Sequence, residues 1–227
     1  MSLGSSCKLL HDRSVAEANG ILVVMEFTQV VRHRRMVRSF TDESVEPTIV
    51  ERILDMARRG PTAGYSQGVE FLLVTDPDTR SVIAQPADAM LARSGHKNFI
   101  AQAPVHIVIC CNPEIYKARY REPDKQQAIT ASSISEEMLW NIPYWYTDAG
   151  CALMLMLLAA VNEGVAAAFV GPSERIRSVL EIPNNYIPIG IVLLGHEAPD
   201  ARTYGDVSAS PRPRRPLNDI VHREQWG

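Results

Sequence analysis

The residues DAGCALMLMLLAAVNEG occupy positions 148–164 and contain the longest apolar stretch of the chain, Cys151 to Val161. Apolar side chains lie nearly all around the helix that this segment predicts. Such a helix is typically buried in the centre of a domain, and here it also suits contact with a partner subunit. Thr147 or Asp148 can cap the helix at its start, and Gly164 can end it. The stretch is shorter than the ~18 residues that a membrane span needs, so we expect a core helix and no membrane segment.

Shorter apolar segments on both sides of this helix are predicted to be strands, at residues 70–75, 105–111, 165–170 and 187–194. The second of them is almost continuously apolar, as in a sheet that is covered on both faces. Amphipathic helices are predicted as well, including one that Glu46-Pro47 begins and Gly60-Pro61 ends. The pattern predicts an α+β domain in which a sheet of four or five strands lies between helices.

The chain of 227 residues fits one domain, predicted at residues 25–227, after a poorly ordered extension at residues 1–24. Its net charge of −3 gives no bulk attraction for nucleic acid. The four cysteines show no CxxC spacing, which favours reduced core thiols over disulfides or a metal site. Because no signal peptide is evident, we expect a cytoplasmic protein.

The arginines are unevenly distributed, with one group near the start of the chain and one near its end: Arg32, Arg34, Arg35 and Arg38, then Arg212, Arg214 and Arg215. On a helical projection Arg34 and Arg38 continue the core-facing stripe of Phe27, Val30 and Val31. A buried guanidinium is costly unless it is paired, so each is expected to meet a carboxylate, such as Asp42 or Glu43, or an anionic ligand. Two arginine groups that converge on one site would suit a phosphate.

Two further segments are candidates for ligand contact. Residues 62–68 form a loop of small residues that can present backbone amides or can simply connect a helix to a strand. Residues 112–146 are poor in aliphatic side chains and rich in aromatic ones, which suits either a lid over a planar ligand or an oligomer interface. The chain has no Walker A, GxGxxG, GxSxG or HExxH motif, and its six histidines are scattered.

The sequence RRMVRSF at residues 34–40, followed by GPTAGYSQ at residues 60–67, resembles the start of the FMN-dependent nitroreductase family. The segment 148–171 is similar to the central helix and next strand of that family. The sequences LLGH at residues 193–196 and RRPL at residues 214–217 resemble its last strand and tail. The likeness covers roughly residues 27–224, and the ordered set of motifs is more specific than any one of them.

The resemblance implies a three-layer α/β/α sandwich with a mixed sheet of four to five strands, an extended C-terminal tail, and a homodimer with FMN in the interface. The residues that it assigns to FMN are Arg34, Arg35, Met36, Arg38, Pro61, Thr62, Ala63, Gly64, Gln67, Phe169, Val170, Gly171, Arg214 and Arg215. The aromatic residues assigned to an acceptor pocket are Tyr65, Tyr116, Tyr120, Trp140, Tyr144 and Trp145, with the excursion at 112–146 as a cap.

The implied activity is a ping-pong transfer of hydride from NADH or NADPH through FMN to a nitroaromatic, quinone or similar small planar acceptor. No protein side chain is assigned as acid or base, because the flavin carries the chemistry. The arginine run and the loop also resemble the branch that contains the benzimidazole synthase BluB and the iodotyrosine deiodinases. A dedicated flavin enzyme of that kind and a non-catalytic flavin-storage protein are therefore alternatives.

The sequence departs from the family pattern at three places. Met36 stands where the family often has Ser, Tyr65 stands where it often has Asn, and Gly68-Val69 replaces Pro-Trp. The tyrosine is expected to remove a polar contact and to narrow the acceptor pocket.

Overall fold

The structure is a computed structural model that describes residues 25–94, 98–173, 175–199, 201 and 213–226. The predicted extension at residues 1–24 lies outside the described residues. The helices are α1 (Phe27–His33), α2 (Pro47–Ala57), α3 (Pro77–Leu91), α4 (Phe99–Gln102), α5 (Pro113–Tyr120), α6 (Pro123–Ser132), α7 (Glu136–Leu139), α8 (Tyr144–Asn162) and α9 (Ile176–Val179). The strands are β1 (Val69–Val74), β2 (Val105–Cys111), β3 (Ala166–Val170) and β4 (Ile187–Gly195).

The four strands form one sheet in the order β1-β2-β4-β3, and every neighbouring pair is antiparallel. The expectation of a mixed sheet is therefore wrong for the described residues, whereas the α+β class and the number of strands are confirmed. The apolar run of β2 arises because helices cover both faces of the sheet. The apolar sequence of β2 therefore indicates that both faces of the sheet are covered, and it does not indicate the direction of the strands.

Helices pack on both faces of the sheet, so the predicted three layers are confirmed. On one face, α2 and α8 bury side chains such as Ile53 and Met156 against Ile107 and Val192. On the other face, α3, α4 and α9 bury Ile83, Phe99 and Ile176 against the opposite sides of the same strands. Because neighbouring residues of a strand point to opposite faces, β2 and β4 contribute to both clusters.

Helix α8 begins at Tyr144, after Pro143, so neither Thr147 nor Asp148 caps it as predicted. The proline ring fixes φ near the value that a helix start requires. Asp148 therefore lies inside the helix, where its carboxylate is available to other segments. The stretch Glu137–Asn162 is long and apolar enough to cross a membrane, but α8 packs against α2 and all four strands, as the core helices of soluble proteins do.

The segment after α1 lies along the β3 edge of the sheet. The helix ends at His33, earlier than the helical projection required, so Arg34 and Arg38 are not on a helix face. The backbone N–H of Val37 donates to the carbonyl of Ala167 in β3 at 2.9 Å, and Phe40 forms a β-bridge with Glu197. These backbone hydrogen bonds place the arginines beside the sheet edge.

The excursion at residues 112–146 consists of the short helices α5, α6 and α7. It follows β2 and lies at the end of the sheet where Val69, Cys111 and Ile187 are aligned. The C-terminal residues 213–226 contain one 3-10 turn, Leu217–Asp219, and are exposed along their whole length.

Candidate functional site

Three arginines at the β3 edge, which we call the edge arginines, differ in their surroundings: Arg34, Arg35 and Arg38. Arg35 is exposed and forms an ion pair with Glu197, whereas Arg34 and Arg38 are half-buried. Among the described residues Arg34 has no ion pair, so the predicted partners Asp42 and Glu43 do not neutralise it. A half-buried and unpaired guanidinium suits an anionic ligand.

Arg38 lines a cavity of about 880 Å³ together with Phe169, Val170 and Gly171. The volume lies within the range of about 300–1,000 Å³ that is usual for cofactor and ligand sites. A Cβ atom added to Gly171 would meet nothing within 4 Å, so open space lies in front of this backbone. Met36, which was also assigned to the cofactor, packs against the core cluster below α8.

The loop at residues 61–67, called the site loop below, has a constrained backbone. Gly64, Tyr65 and Gln67 all have positive φ, at 62°, 58° and 56°. Left-handed conformations are unfavourable for tyrosine and glutamine, and such residues cluster at functional sites. The Tyr65 side chain is 75% exposed, so the loop holds an aromatic ring in solvent. The site loop therefore has a strained backbone and exposes the aromatic ring of Tyr65.

Two side chains that the sequence analysis did not assign to the site hold this loop. The carboxylate of Asp148 accepts a hydrogen bond from the Ala63 backbone N–H at 2.8 Å. The guanidinium of Arg119, in α5, donates to the Gly64 carbonyl at 3.0 Å and is itself held by Asp124 and Glu122. The signal for Asp148 was present in the sequence, since it is an acidic residue directly before an apolar helical run.

Tyr116 and Trp145, which were predicted to line an acceptor pocket, are buried. Tyr116 is fully buried and donates its hydroxyl to Asp148 at 2.8 Å, and Trp145 packs edge to face against it. Burial, followed by the hydrogen bond to Asp148, raises the pKa of the Tyr116 hydroxyl. Glycine is required at Gly68 because a Cβ atom there would lie 2.4 Å from the Tyr116 ring. Both aromatic rings therefore fill space beneath the loop.

Tyr120 and Tyr144, which were predicted to line an acceptor pocket, border open space. They border a second cavity, of about 560 Å³, whose other walls are the site loop, α7 and the first turns of α8. Trp140 packs against Tyr120 and Trp145, with ring centroids 5.2 and 5.8 Å apart. Pro61, Thr62 and Gln67 border a smaller cavity of about 160 Å³, which Asp148 also lines.

Within one chain, the edge arginines and the site loop do not meet. The site loop precedes β1, whereas the edge arginines and Gly171 lie beside β3, and β1 and β3 are the two edges of the sheet. The site loop lies at the strand ends where Val69 aligns with Cys111. Val170, in contrast, aligns with Ile191, which faces the middle of β2, and the edge segment bonds to Ala167 farther along β3. Three strand spacings, about 14 Å, separate them across the sheet.

The tail arginines are exposed. Arg215 donates to the carbonyl of Asp219 within the tail, and Arg214 lies in the same exposed segment. The tail also exposes Leu217, Ile220 and Trp226. Apolar side chains on an exposed extended segment indicate contact with a further surface.

Thiol and metal chemistry receive no support from the described residues. Burial raises the pKa of Cys110 to about 11 and that of Cys111 to about 12, so both remain protonated and unreactive near neutral pH. No group of three or more metal-ligating side chains occurs in the part of the chain that the structure describes.

A family model described as the nitroreductase family matches residues 31–196. A protein of Methanothermobacter thermautotrophicus named as an NADH dehydrogenase/NAD(P)H nitroreductase is 25% identical, over 95% of this chain and 96% of its own length. A Bacillus subtilis protein named FMN reductase [NAD(P)H] is 27% identical, over 88% of this chain and 74% of its own length. An iodotyrosine deiodinase of Haliscomenobacter hydrossis is 25% identical, over 78% of this chain and 81% of its own length.

Solved structures show the same fold. A nitroreductase family protein from Streptococcus pneumoniae has a TM-score of 0.64 and 19% identity, over 88% of this chain and all of its own. A second one, from Clostridium difficile, has a TM-score of 0.63 and 22% identity, over 89% of this chain and all of its own. These likenesses concern the fold alone.

Proposed function

The chain belongs to the nitroreductase family, and we propose that it is an FMN-dependent oxidoreductase that passes electrons from NADH or NADPH to a small planar acceptor. The observations that carry the proposal are the half-buried Arg34, which has no ion pair among the described residues, and the cavity that Arg38 and Gly171 line. The names of the relatives support FMN as the cofactor and NAD(P)H as the donor.

The residues of the β3 edge fit FMN. The edge arginines supply positive charge for a phosphate, and an arginine binds phosphate through two parallel hydrogen bonds. The adjacent cavity has largely apolar walls, including Phe169 and Val170, which suit a planar ring. The open space over Gly171 lets a ring approach the backbone closely.

When bound, FMN supplies hydride transfer and single-electron chemistry that no side chain of this protein provides. The edge arginines would fix one end of the cofactor, and Phe169 and Val170 would exclude water from its ring. The site loop would orient the molecule that stacks on the ring, with Tyr65 as the projecting side chain. Donor and acceptor would occupy the same place in turn, which gives a ping-pong order.

A homodimer would bring the two separated groups to one flavin. The site loop of one chain could then face the edge arginines of its partner, although the two lie at opposite edges of a single chain. Exposed apolar residues support such an interface, including Phe27 in α1, Met154 in α8 and Trp226 in the tail. A cytoplasmic location stays a prediction.

The test is an anaerobic titration of the purified protein with FMN, then with NADH or NADPH, followed by a screen of nitroaromatic and quinone acceptors. We expect stoichiometric binding of FMN, bleaching of its visible absorbance by one of the donors, and recovery of the colour on addition of an acceptor. A protein that takes up no FMN would contradict the proposal. Bound FMN that neither nucleotide reduces would instead favour a storage protein or a BluB-like enzyme.

The iodotyrosine deiodinase relatives give one specific alternative. Including an iodinated phenol in the same screen distinguishes this alternative, because a deiodinase releases iodide when its reduced flavin is consumed. Reduction of nitroaromatics without release of iodide would favour the main proposal.

A further inference from the structure

The cavity of about 560 Å³ beside the site loop contains one charged group among its described lining residues, Asp148. The remaining walls are neutral. They combine polar hydroxyl groups with aliphatic and aromatic surface, namely Pro61, Thr62, Ala63, Tyr120, Ile134, Met138, Leu139, Tyr144 and Thr147. Asp148 is therefore the charged side chain that directly borders this cavity among the described residues.

That carboxylate is buried. The Asp148 residue is 6% exposed, and no lysine, arginine or histidine forms an ion pair with it among the described residues. A buried carboxylate without a positive partner is costly, and such groups cluster at functional sites. Two hydrogen-bond donors compensate it in part, the Ala63 backbone N–H and the Tyr116 hydroxyl.

Both of these donors bind the same carboxylate oxygen, Oδ2. The second oxygen, Oδ1, has no hydrogen bond to the described residues, and it is not among the buried side-chain atoms that lack both a partner and solvent contact. It therefore retains some solvent contact, and the space that Asp148 borders is the cavity of 560 Å³ and the adjoining one of 160 Å³. Oδ2 therefore anchors the site loop and Tyr116, and Oδ1 is free to accept a hydrogen bond from a ligand.

We propose that Asp148 determines acceptor specificity, with Oδ2 fixing the site loop and Oδ1 selecting planar acceptors that carry a cationic or hydrogen-bond-donating group. This inference rests on the proposed function, because it concerns the acceptor of that reaction. A ligand ammonium group would supply the positive partner that this carboxylate lacks among the described residues. An anionic acceptor of equal size would be repelled by it.

Asp148→Asn separates the two roles. The amide oxygen can still accept from Ala63 and Tyr116, so the site loop keeps its anchor, while an NH₂ donor replaces the free oxygen. Asp148→Ala removes both carboxylate oxygens, so its effects beyond those of Asp148→Asn measure the contribution of the loop anchor. Glu137→Gln is the matched control, since it removes one exposed carboxylate from α7 without changing the cavity wall.

The experiment compares three acceptors of similar size, the cationic 4-nitrobenzylamine, the neutral 4-nitrobenzyl alcohol and the anionic 4-nitrobenzoate. Calorimetry on the FMN-loaded protein gives their dissociation constants, and steady-state assays give kcat and KM. We expect the wild type and Glu137→Gln to bind the amine about tenfold or more tightly than the carboxylate, in line with a charge-assisted contact. In Asp148→Asn the ratio should fall to within about threefold, through KM rather than kcat.

An unchanged ratio in Asp148→Asn, with FMN binding and NAD(P)H bleaching intact, would overturn this inference and leave the proposed function standing. Failure of the wild type to bind FMN would contradict the proposed function. Calorimetry with the flavin-free full chain would then still show whether the cavity prefers the amine. Loss of the preference in Glu137→Gln as well would assign it to general surface charge and also overturn the inference.

Discussion

At the residue scale, two charged groups that have no ion pair among the described residues, Arg34 and Asp148, mark the candidate site. The sequence motif and the apolar neighbours of Arg34 predict that it binds an anionic ligand. It lies on an extended segment, however, and not on a helix. The role of Asp148 was not identified, because a sequence shows an acidic residue near a helix start and does not show which loop packs against it. Its partners Ala63 and Tyr116 are 85 and 32 residues away in the chain.

Arg34→Ala should weaken FMN binding. A hydrogen bond to a charged group contributes about 1.5–3 kcal/mol, so we expect the dissociation constant for FMN to rise roughly 10- to 150-fold. Quenching of FMN fluorescence measures this constant. The matched control is Arg32→Ala, which removes an exposed arginine two residues earlier in the last turn of α1. Equal affinity in wild type and Arg34→Ala would remove Arg34 from the phosphate site.

His106 should make stability fall in mild acid. Its ring is fully buried and contacts the Ile100 carbonyl at 2.8 Å, and burial lowers its pKa from 6.5 to about 4. Between these values the unfolded chain binds more protons than the folded one, so stability is full above pH 6.5 and declines as the pH falls toward 4. Between pH 7 and pH 5 the loss should be about 2 kcal/mol.

Urea unfolding of wild type and His106→Gln at both pH values checks this prediction. The glutamine can still donate to the Ile100 carbonyl but does not titrate, so the variant should lose about 2 kcal/mol less than the wild type. His33→Gln changes an exposed histidine with a similar carbonyl contact and is the control. Parallel pH profiles for wild type and His106→Gln would contradict the assignment.

At the scale of elements, the sequence is sufficient to predict the helices and strands whose burial produces a periodic pattern of apolar residues. The four strands, α2 and the central helix were predicted because burial of their side chains shows as a local pattern. Strand direction, the end of α1 at His33 and the start of α8 at Tyr144 were predicted wrongly. Strand direction and the course of the chain after α1 depend on contacts between distant segments, such as the hydrogen bond from Val37 to Ala167, and those contacts leave no local signature. The start of α8 follows Pro143, a local signal that the prediction of a cap at Thr147 or Asp148 did not use.

The site loop gives a prediction at the same scale. Gly64 has a φ of 62°, and a Cβ atom there would lie 2.7 Å from the Tyr120 ring. Gly164, at the end of α8, has a φ of 71° but open space around its Cβ position. Gly64→Ala and Gly164→Ala therefore share the backbone strain, and only the first adds a clash. We expect Gly64→Ala to be less stable than Gly164→Ala by about 1–3 kcal/mol in urea unfolding, and to bind FMN more weakly. Equal effects of the two variants would contradict the packed loop.

At the scale of the whole molecule, exposed apolar surface favours the proposed homodimer. Helix α8 exposes Gly150 and Met154 and half-exposes Leu158 and Val161, on one stripe at helical spacing. The described tail is exposed throughout. Interfaces between subunits bury surfaces of this kind.

Met154→Arg should therefore disrupt the dimer, because it places a charge in the apolar stripe. Met154 is 48% exposed, and Met56 on α2, at 43%, offers a matched control in Met56→Arg. Sedimentation velocity should show a dimer for the wild type and Met56→Arg and a monomer for Met154→Arg. A dimer that persists in Met154→Arg would exclude this stripe from the interface.

In the proposed dimer, each flavin lies between the edge arginines of one chain and the site loop of its partner. Mixed dimers that contain one Arg34→Ala chain and one Gly64→Ala chain test this arrangement most directly, since one of their two sites combines the intact halves. Two different affinity tags isolate the mixed dimers, and titration with FMN gives their binding stoichiometry. Both parent variants should bind FMN weakly, and the mixed dimer should regain one site of wild-type affinity. A mixed dimer that binds FMN no better than its parents would contradict this arrangement.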